Sequence, residues 1–425
     1  MRRVPHARRR LLACGAALAA VGLVTTGASS PVEPSYARIA LYSEGVALDA
    51  DGVPRLVPVG AAVVDDPVQR ARQDAWLAAG RVPGPDRYRG MAEQALRDLD
   101  ALVLEDGASL AAGSPYWRYV WPRDASFTAA ALARSGHPDD AHAVLAYLAR
   151  MQASSTVDGV LQARYLPDGS GGVPDARPAQ LDGSGWVLWG VAQWYAAAGP
   201  GRDAQLEELR ELVVSSVGTI RAHVDPVSGL PPAFPDYWEV RERRPTLGTL
   251  APLLAGTRAA APVLAALGEP PAGDLVARLE RGVEGHFAPS YPRRLGGSAQ
   301  DTAVAWLMPP FGAPDPQVTA AWQDAAAGMA RPAGGLAPGE DWKRDGVSWT
   351  PETAMWALTA AASGDVEQAE HWLDWLDRHR TARGSLPEKV LHDGSPAAVA
   401  PLAWTASTVL LALDELDRQG AVSDP

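Results

Sequence analysis

The chain reads as an all-α protein, an (α/α)6 barrel of twelve helices behind a short extended N-terminal segment. Three observations predict this. From Pro85 onward apolar residues recur every three or four positions, the spacing of one face of a helix. The helical segments are joined alternately by short turns and by long loops. No sequence repeat of fixed period runs through the chain, which sets aside an open helical solenoid, the other way to stack helical hairpins.

Residues 1–30 read as a targeting segment. Arg2, Arg3, Arg8, Arg9 and Arg10 precede the apolar run from Leu11 to Val24, and small residues follow from Thr25 to Ser30. This is the pattern of a secretory signal peptide, too short for a membrane span. Arg8-Arg9-Arg10-Leu11-Leu12 also has the character of a twin-arginine export signal. A secreted protein is therefore expected, with no membrane association after cleavage. The single Cys, Cys14, lies near the start of the apolar run rather than after it, where a lipoprotein would carry it. The exported chain then has neither disulfides nor thiol chemistry.

Residues 31–84 look extended. Val46 to Leu48 and Leu56 to Val59 flank Asp51-Gly52, which suits a hairpin turn. Two strands do not make a domain, so this segment is expected to pack on residues 85–425. There, Tyr88, Met91, Ala95, Leu99 and Leu102 keep the helical period, as do Val366, Ala369, Leu373 and Leu376. The same reading places helices at about 86–105, 124–135, 138–152, 184–198, 202–223, 247–267, 272–286, 301–309, 316–329, 350–362, 365–380 and 402–418. Long connections fall at about 106–123, 153–183, 224–246, 287–300, 330–349 and 381–401. Long loops in compact domains are usually functional. Six helical hairpins closed into a ring would gather all six on one working face.

Composition narrows the chemistry. The chain has 425 residues and a formal net charge of -12, and about -17 once the five Arg of the leader are removed. An acidic surface disfavours nucleic acid as a partner. Trp outnumbers Phe by 15 to 4, and every Trp lies at or after Trp76. Indoles stack on flat sugar faces and still offer an N–H, although they also fill cores. The expected ligand is an oligosaccharide or polysaccharide, and a monomer is expected. His371 and His379 are eight residues apart, which is no recognised ligand spacing, and they read as a solvated helix face. Neither a phosphate-binding Gly-rich loop nor a Gly-x-Ser-x-Gly elbow is present. No metal site or cofactor is expected.

The long loops carry the candidates. The first ends Trp117-Arg118-Tyr119-Val120-Trp121-Pro122-Arg123-Asp124. The third holds Asp236-Tyr237-Trp238-Glu239-Val240-Arg241. The sixth holds Pro387-Glu388-Lys389, and Trp404 opens the helix after it. Carboxylates and Arg hold hydroxyls, indoles stack, and two carboxyl groups perform acid–base chemistry. Simpler readings exist for each: Glu239 as a salt bridge with Arg241 or Arg243, Glu388 as a solvated loop acid, Asp124 as a helix cap.

These motifs resemble glycoside hydrolase family 15, the glucoamylases and their bacterial relatives, over about residues 113–418. The resemblance implies that Arg123 and Asp124, opening the second helix, grip the terminal sugar, with Trp121 beside them. It implies that Glu239, after Trp238 and between helices five and six, is the general acid. Glu388, between helices eleven and twelve and followed by Trp404, would be the general base. Arg177-Pro178-Ala179-Gln180-Leu181-Asp182-Gly183 is similar to the family's substrate-lining stretch, which brings in Gln180 and Asp182. Gly339-Glu340-Asp341-Trp342 is similar to the stretch before helix ten, which brings in Glu340 and Asp341. Two departures bear on the outer subsites. Leu336-Ala337-Pro338 stands where many relatives carry an Arg, and Lys389 where Gln often follows the base.

The implied reaction is exo-hydrolysis of α-glucans with inversion, releasing β-glucose, with the two carboxyl groups about 6.5–9.5 Å apart. Burial beside Trp238 would favour the protonated form of Glu239, and Arg241 would oppose it. The alternatives are the same chemistry on an α-1,6-glucan or trehalose, a catalytically inactive carbohydrate-binding barrel, and a polysaccharide lyase.

Overall fold

The two short runs flanking Asp51-Gly52 pair as that turn predicts. Strands β1 (Gly45–Leu48) and β2 (Pro54–Val57) are antiparallel, with Gly45 opposite Val57 and Leu48 opposite Pro54. The computed structural model describes residues 36–199 and 201–423, so the expected signal peptide lies outside the described residues. The extended reading of 31–84 is corrected after β2. Residues Pro67–Ala79 form a helix, α1, capped by Asp66, whose carboxylate accepts from Val68 N and Gln69 N. Its buried residues are only Gln73 and Leu77, so it has too narrow an apolar stripe to register as periodic. The Asp-Pro start was the legible signal.

A 3₁₀ turn leads into α2 (Arg89–Leu102), followed by α3 (Pro122–Arg134), α4 (Pro138–Ser154) and a small hairpin, β3 (Thr156–Val157) with β4 (Val160–Leu161). Next come α5 (Asp182–Ala197), α6 (Arg202–Glu208), α7 (Arg210–His223), α8 (Leu247–Ala259), α9 (Ala261–Ala266) and α10 (Gly273–His286). A 3₁₀ segment at Thr302–Leu307 precedes α11 (Pro316–Met329), β5 (Ser348–Trp349), α12 (Thr350–Ala362) and α13 (Val366–Arg378). Strands β6 (Lys389–Val390) and β7 (Pro396–Ala397) and helix α14 (Ala403–Ser423) complete the chain.

Six of these segments close a ring. Helix α3 packs on α5, α5 on α8, α8 on the 3₁₀ segment, that segment on α12, α12 on α14, and α14 back on α3. Each has an outer partner: α4, α7, α10, α11, α13 and α2, in the same order. This is the (α/α)6 barrel. Every residue of α3 is buried, and α12 is buried from Thr350 to Ala361, so these helices are enclosed on all faces and rich in small residues. The outer helices bury one stripe, as α13 does with Ala369, Trp372, Leu373 and Leu376. Helices α5 and α8 cross on glycines. A Cβ on Gly185 would sit 2.3 Å from the Pro252 carbonyl oxygen, and one on Gly256 1.9 Å from that of Gly185. Trp186, Trp189, Trp194, Trp306 and Trp356 are core, which accounts for part of the Trp excess.

Three predicted helices differ in detail. The segment at 202–223 breaks at Leu209 into α6 and α7. The segment at 247–267 breaks at Ala260, where Pro262 follows at the second position of α9. The segment expected at 301–309 is a single 3₁₀ stretch, stopped by Pro309-Pro310. Pro85 is not a boundary between compact units, because the chain from Tyr36 onward forms one.

Candidate active site

The N-terminus of α3 supplies the first pair. Pro122 occupies its first turn, where a missing N–H costs nothing. Arg123 Nε donates to Asp124 Oδ1 at 3.1 Å, and the guanidinium lies over the ring of Trp404, 4.7 Å from its centroid. Trp404 stands in the first turn of the neighbouring helix α14. All three side chains are buried.

The loop before α8 carries Trp238 and Glu239 and is braced from beneath. Asp236 Oδ1 accepts from Trp238 N at 3.0 Å, and Glu239 N donates to Asp236 O at 2.7 Å. Arg293, 1% exposed, donates to Asp236 at 2.7 Å, Glu242 at 2.9 Å and Asp301 at 2.6 Å, and its guanidinium lies 3.7 Å from the Trp238 ring centroid. Glu239 itself has φ of +55°, a left-handed conformation that non-glycine residues rarely adopt outside functional sites. Trp121 Nε1 donates to Glu239 Oε1 at 2.5 Å, and Arg177 pairs with Oε2.

Glu388 sits at the end of the loop that opens β6. Strand β6 pairs with β5 on one side and β7 on the other. Thr350 N donates to Glu388 O at 3.0 Å and Glu388 N to Val399 O at 2.8 Å, so the backbone is fixed on both sides. Lys389 Nζ lies 3.1 Å from Glu388 Oε2 as an ion pair and 4.1 Å from the centroid of Trp349. The N-terminal segment props this loop from outside. Ser43 Oγ donates to Ala400 O at 2.8 Å, Thr381 Oγ1 to Glu44 O at 2.5 Å, and Arg383 Nη2 to Asp65 Oδ1 at 2.6 Å. Among the described residues, none before Ala111 lines the cavity described next.

A cavity of about 440 Å³ brings these parts together. Trp121, Arg123, Asp124, Trp238, Glu239, Glu388 and Trp404 all line it, and with Arg164, Arg177 and Trp342 they draw on five of the six long connections and the helix starts that follow them. Several buried polar atoms of its walls have no hydrogen-bond partner among the described residues: Arg123 Nη1, Glu352 Oε2, and the indole N–H groups of Trp238, Trp342, Trp349 and Trp404. Buried polar groups are nearly always paired, so a wall of unpaired donors with a carboxyl oxygen among them fits a ligand rich in hydroxyls.

Five expected site residues do not reach the cavity. Gln180 is buried and donates to Asp236 O at 3.1 Å, bracing the Glu239 loop. Asp182 is fully buried at the start of α5, and its charge faces Arg123 from behind. Arg241 is exposed and lines a separate depression with Phe234. The cation on Glu239 is Arg177 instead. Glu340 is turned back to accept from Gln300 N at 2.9 Å, and Asp341 is exposed, whereas the next residue, Trp342, forms the wall.

Burial raises the pKa of several acids here. It lifts Asp124 to about 6 against the pull of Arg123, and Asp182 to about 7. It lifts Glu352 to about 8, with Glu388 adding to the effect. Glu388 is also raised by burial, while Lys389 and the hydrogen-bonded indole of Trp117 draw it back. Asp98, buried under Ser385, is lifted to about 7. Above pH 5 the unfolded chain has lost these protons and the native chain still holds them, so stability falls as pH rises. Each acid still protonated contributes up to ~1.4 kcal/mol per pH unit. Burial lowers the pKa of His137 and His379, which act in the opposite sense only below about pH 6.5. The melting temperature should therefore drop between pH 6.5 and 8. A rise over that interval would contradict these assignments.

No family model matches the chain. A curated relative, the isomaltose glucohydrolase of Kribbella flavida, is 29% identical over 348 residues, covering 71% of this chain and 86% of the relative. The structure superposes on a solved glycosidase with a TM-score of 0.65 at 25% identity, covering 83% of this chain and 99% of that one. These likenesses support a glucoamylase-like family of glycoside hydrolases for the chain. The glucoamylase of Saccharomycopsis fibuligera shares the fold, with a TM-score of 0.60 at 13% identity over 74% of this chain and 90% of that one. Sequence reasoning missed three residues around this hydrolase's cavity. Arg164 lines it, lying 4.9 Å from the Trp121 ring centroid, and Arg293 sits beneath it. Glu352, in the first turn of α12, is the third. It follows Pro351 much as Arg123 and Asp124 follow Pro122, and that parallel was legible in the sequence.

Proposed function

We propose that this hydrolase is a secreted, inverting, exo-acting α-glucosidase that releases β-glucose from small α-glucosides, isomaltose first among them. One observation carries the reading. Glu239 and Glu388 face a single cavity, each held by its own set of partners, with no hydrogen bond between them and with the buried Arg123–Asp124 pair alongside. A volume of about 440 Å³ suits a small ligand rather than a polymer groove. The relative named for isomaltose supports the α-1,6 preference.

In the reaction, Glu239 gives its proton to the glycosidic oxygen as the bond to the anomeric carbon breaks. Glu388 takes a proton from water, and the hydroxide oxygen bonds to that carbon from the opposite face. Arg177, which pairs with Glu239 Oε2, must swing aside to let the leaving sugar approach. Export is inferred from the Arg-led apolar segment at residues 1–30.

The test is glucose release from isomaltose, maltose and trehalose by the purified protein. Fastest release from isomaltose is expected, and silence on all three would overturn the reading. Lys389→Met gives a sharper check on the base. A base must be ionised, so activity fades as pH falls through its pKa. Removing the ammonium pushes the Glu388 carboxyl further up. The acid limb of kcat/KM should therefore move to higher pH in Lys389→Met. An unmoved or lowered limb would remove Glu388 from that role.

A further inference from the structure

The cavity has a buried end and an open one. Tyr116 and Arg177 stand exposed at the mouth. Arg123, Asp124, Trp404 and Glu352 are each 6% exposed or less, and all four lie in the first turns of α3, α14 and α12, neighbours in the inner ring. Glu352 is 2% exposed, lines the cavity, and its Oε2 has no hydrogen-bond partner among the described residues. The first turn of α12 is stitched to the Glu388 strand. Thr350 N and Thr350 Oγ1 both donate to Glu388 O, at 3.0 and 3.2 Å, and Trp349 pairs with Lys389 in register.

A carboxyl buried with an unpaired oxygen is costly to the fold, and the backbone N–H of Glu352 with the charges of Arg123 and Lys389 offsets that cost only in part. We propose that Glu352 is a sugar-gripping residue at the buried end of the cavity, where its free oxygen holds one hydroxyl of the ring seated beside Arg123 and Asp124 and so selects which sugar is accepted. This rests on the hydrolase reading above. Burial keeps the acid protonated to about pH 8, so near neutrality Glu352 can donate to a hydroxyl oxygen as well as accept from a hydroxyl. A site built to bond a hydroxyl rejects the analogue that lacks it, because its own buried group is then left unpaired.

The experiment compares the full-length wild type with Glu352→Gln and Glu352→Met. The substrates are isomaltose, or maltose if that is the disaccharide cleaved, and its four monodeoxy analogues altered on the non-reducing ring. Wild type should lose ~10- to 100-fold in kcat/KM on one of the analogues. Glu352→Met should lose a similar factor on the parent disaccharide and nothing further on that one analogue, while keeping the wild-type penalties on the other three. Glu352→Gln, which still donates and accepts, should fall between. The melting temperature of Glu352→Met should equal or exceed that of wild type, since it removes an unpaired buried acid. Penalties that multiply for all four analogues, or a lower melting temperature with uniform losses, would make Glu352 a structural residue and overturn the proposal. Wild type that cleaves none of isomaltose, maltose and trehalose would overturn the hydrolase reading and this inference with it. Wild type that cleaves, with multiplicative penalties in Glu352→Met, would overturn this inference alone.

Discussion

Glu388→Gln should lower kcat by at least ~10²–10⁴-fold, and Glu239→Gln should do the same. The amide is isosteric with the carboxyl, so the fold has little reason to change. Neither amide can exchange the required proton. For Glu388, Gln cannot take the proton of an attacking water. For Glu239, Gln can still accept from Trp121 Nε1, so the side chain keeps its place while losing its chemistry. In the proposed reaction the two act on one bond in one step, so the double variant should be scarcely slower than either single one. Steady-state kinetics on isomaltose check this, and near-normal turnover in either single variant would remove that residue from the mechanism.

Arg293→Met should be the most destabilising single change near the site, costing ~3–5 kcal/mol. The guanidinium is 1% exposed and neutralises Asp236 and Asp301, both fully buried, as well as Glu242. Methionine fills much of the volume and supplies none of the charge. Glu242 retains Arg294 as a partner, whereas Asp236 and Asp301 lose their cation. Asp236 also fixes Trp238 N and Glu239 N, so the loss should reach the loop that carries Glu239. Denaturant unfolding measures the cost directly. A change under ~1 kcal/mol would mean that the buried cluster does not hold this loop.

The barrel was legible because its outer helices each bury one apolar stripe whose period survives in the sequence, as in α2 and α13. The loop lengths then set which ends of the hairpins face together. Helix α1 was hidden because it buries only Gln73 and Leu77 and announces itself by Asp66-Pro67 alone. The catalytic candidates were legible because charged residues flanked by Trp stand out in loops, as Glu239 does after Trp238. Long-range partners were not. Arg177 lies 62 positions from the Glu239 it pairs with, and Arg293 lies 57 from Asp236, so only folding reveals either contact. Arg241, two residues from Glu239, was the obvious partner by proximity. The left-handed backbone at Glu239 is part of a loop that instead leaves Arg241 exposed, outside the cavity. Glu340 and Asp341 mislead in the same way, since the strip they belong to presents Trp342 to the cavity.

Inverting hydrolysis by Glu239 and Glu388 in this cavity fixes the anomer that is released. Proton NMR of isomaltose and maltotriose hydrolysis, followed from the first minutes, tests it most directly, because the anomeric signals appear before the released glucose mutarotates. β-Glucose should form first, with α-glucose growing in later. α-Glucose as the first product would contradict inversion.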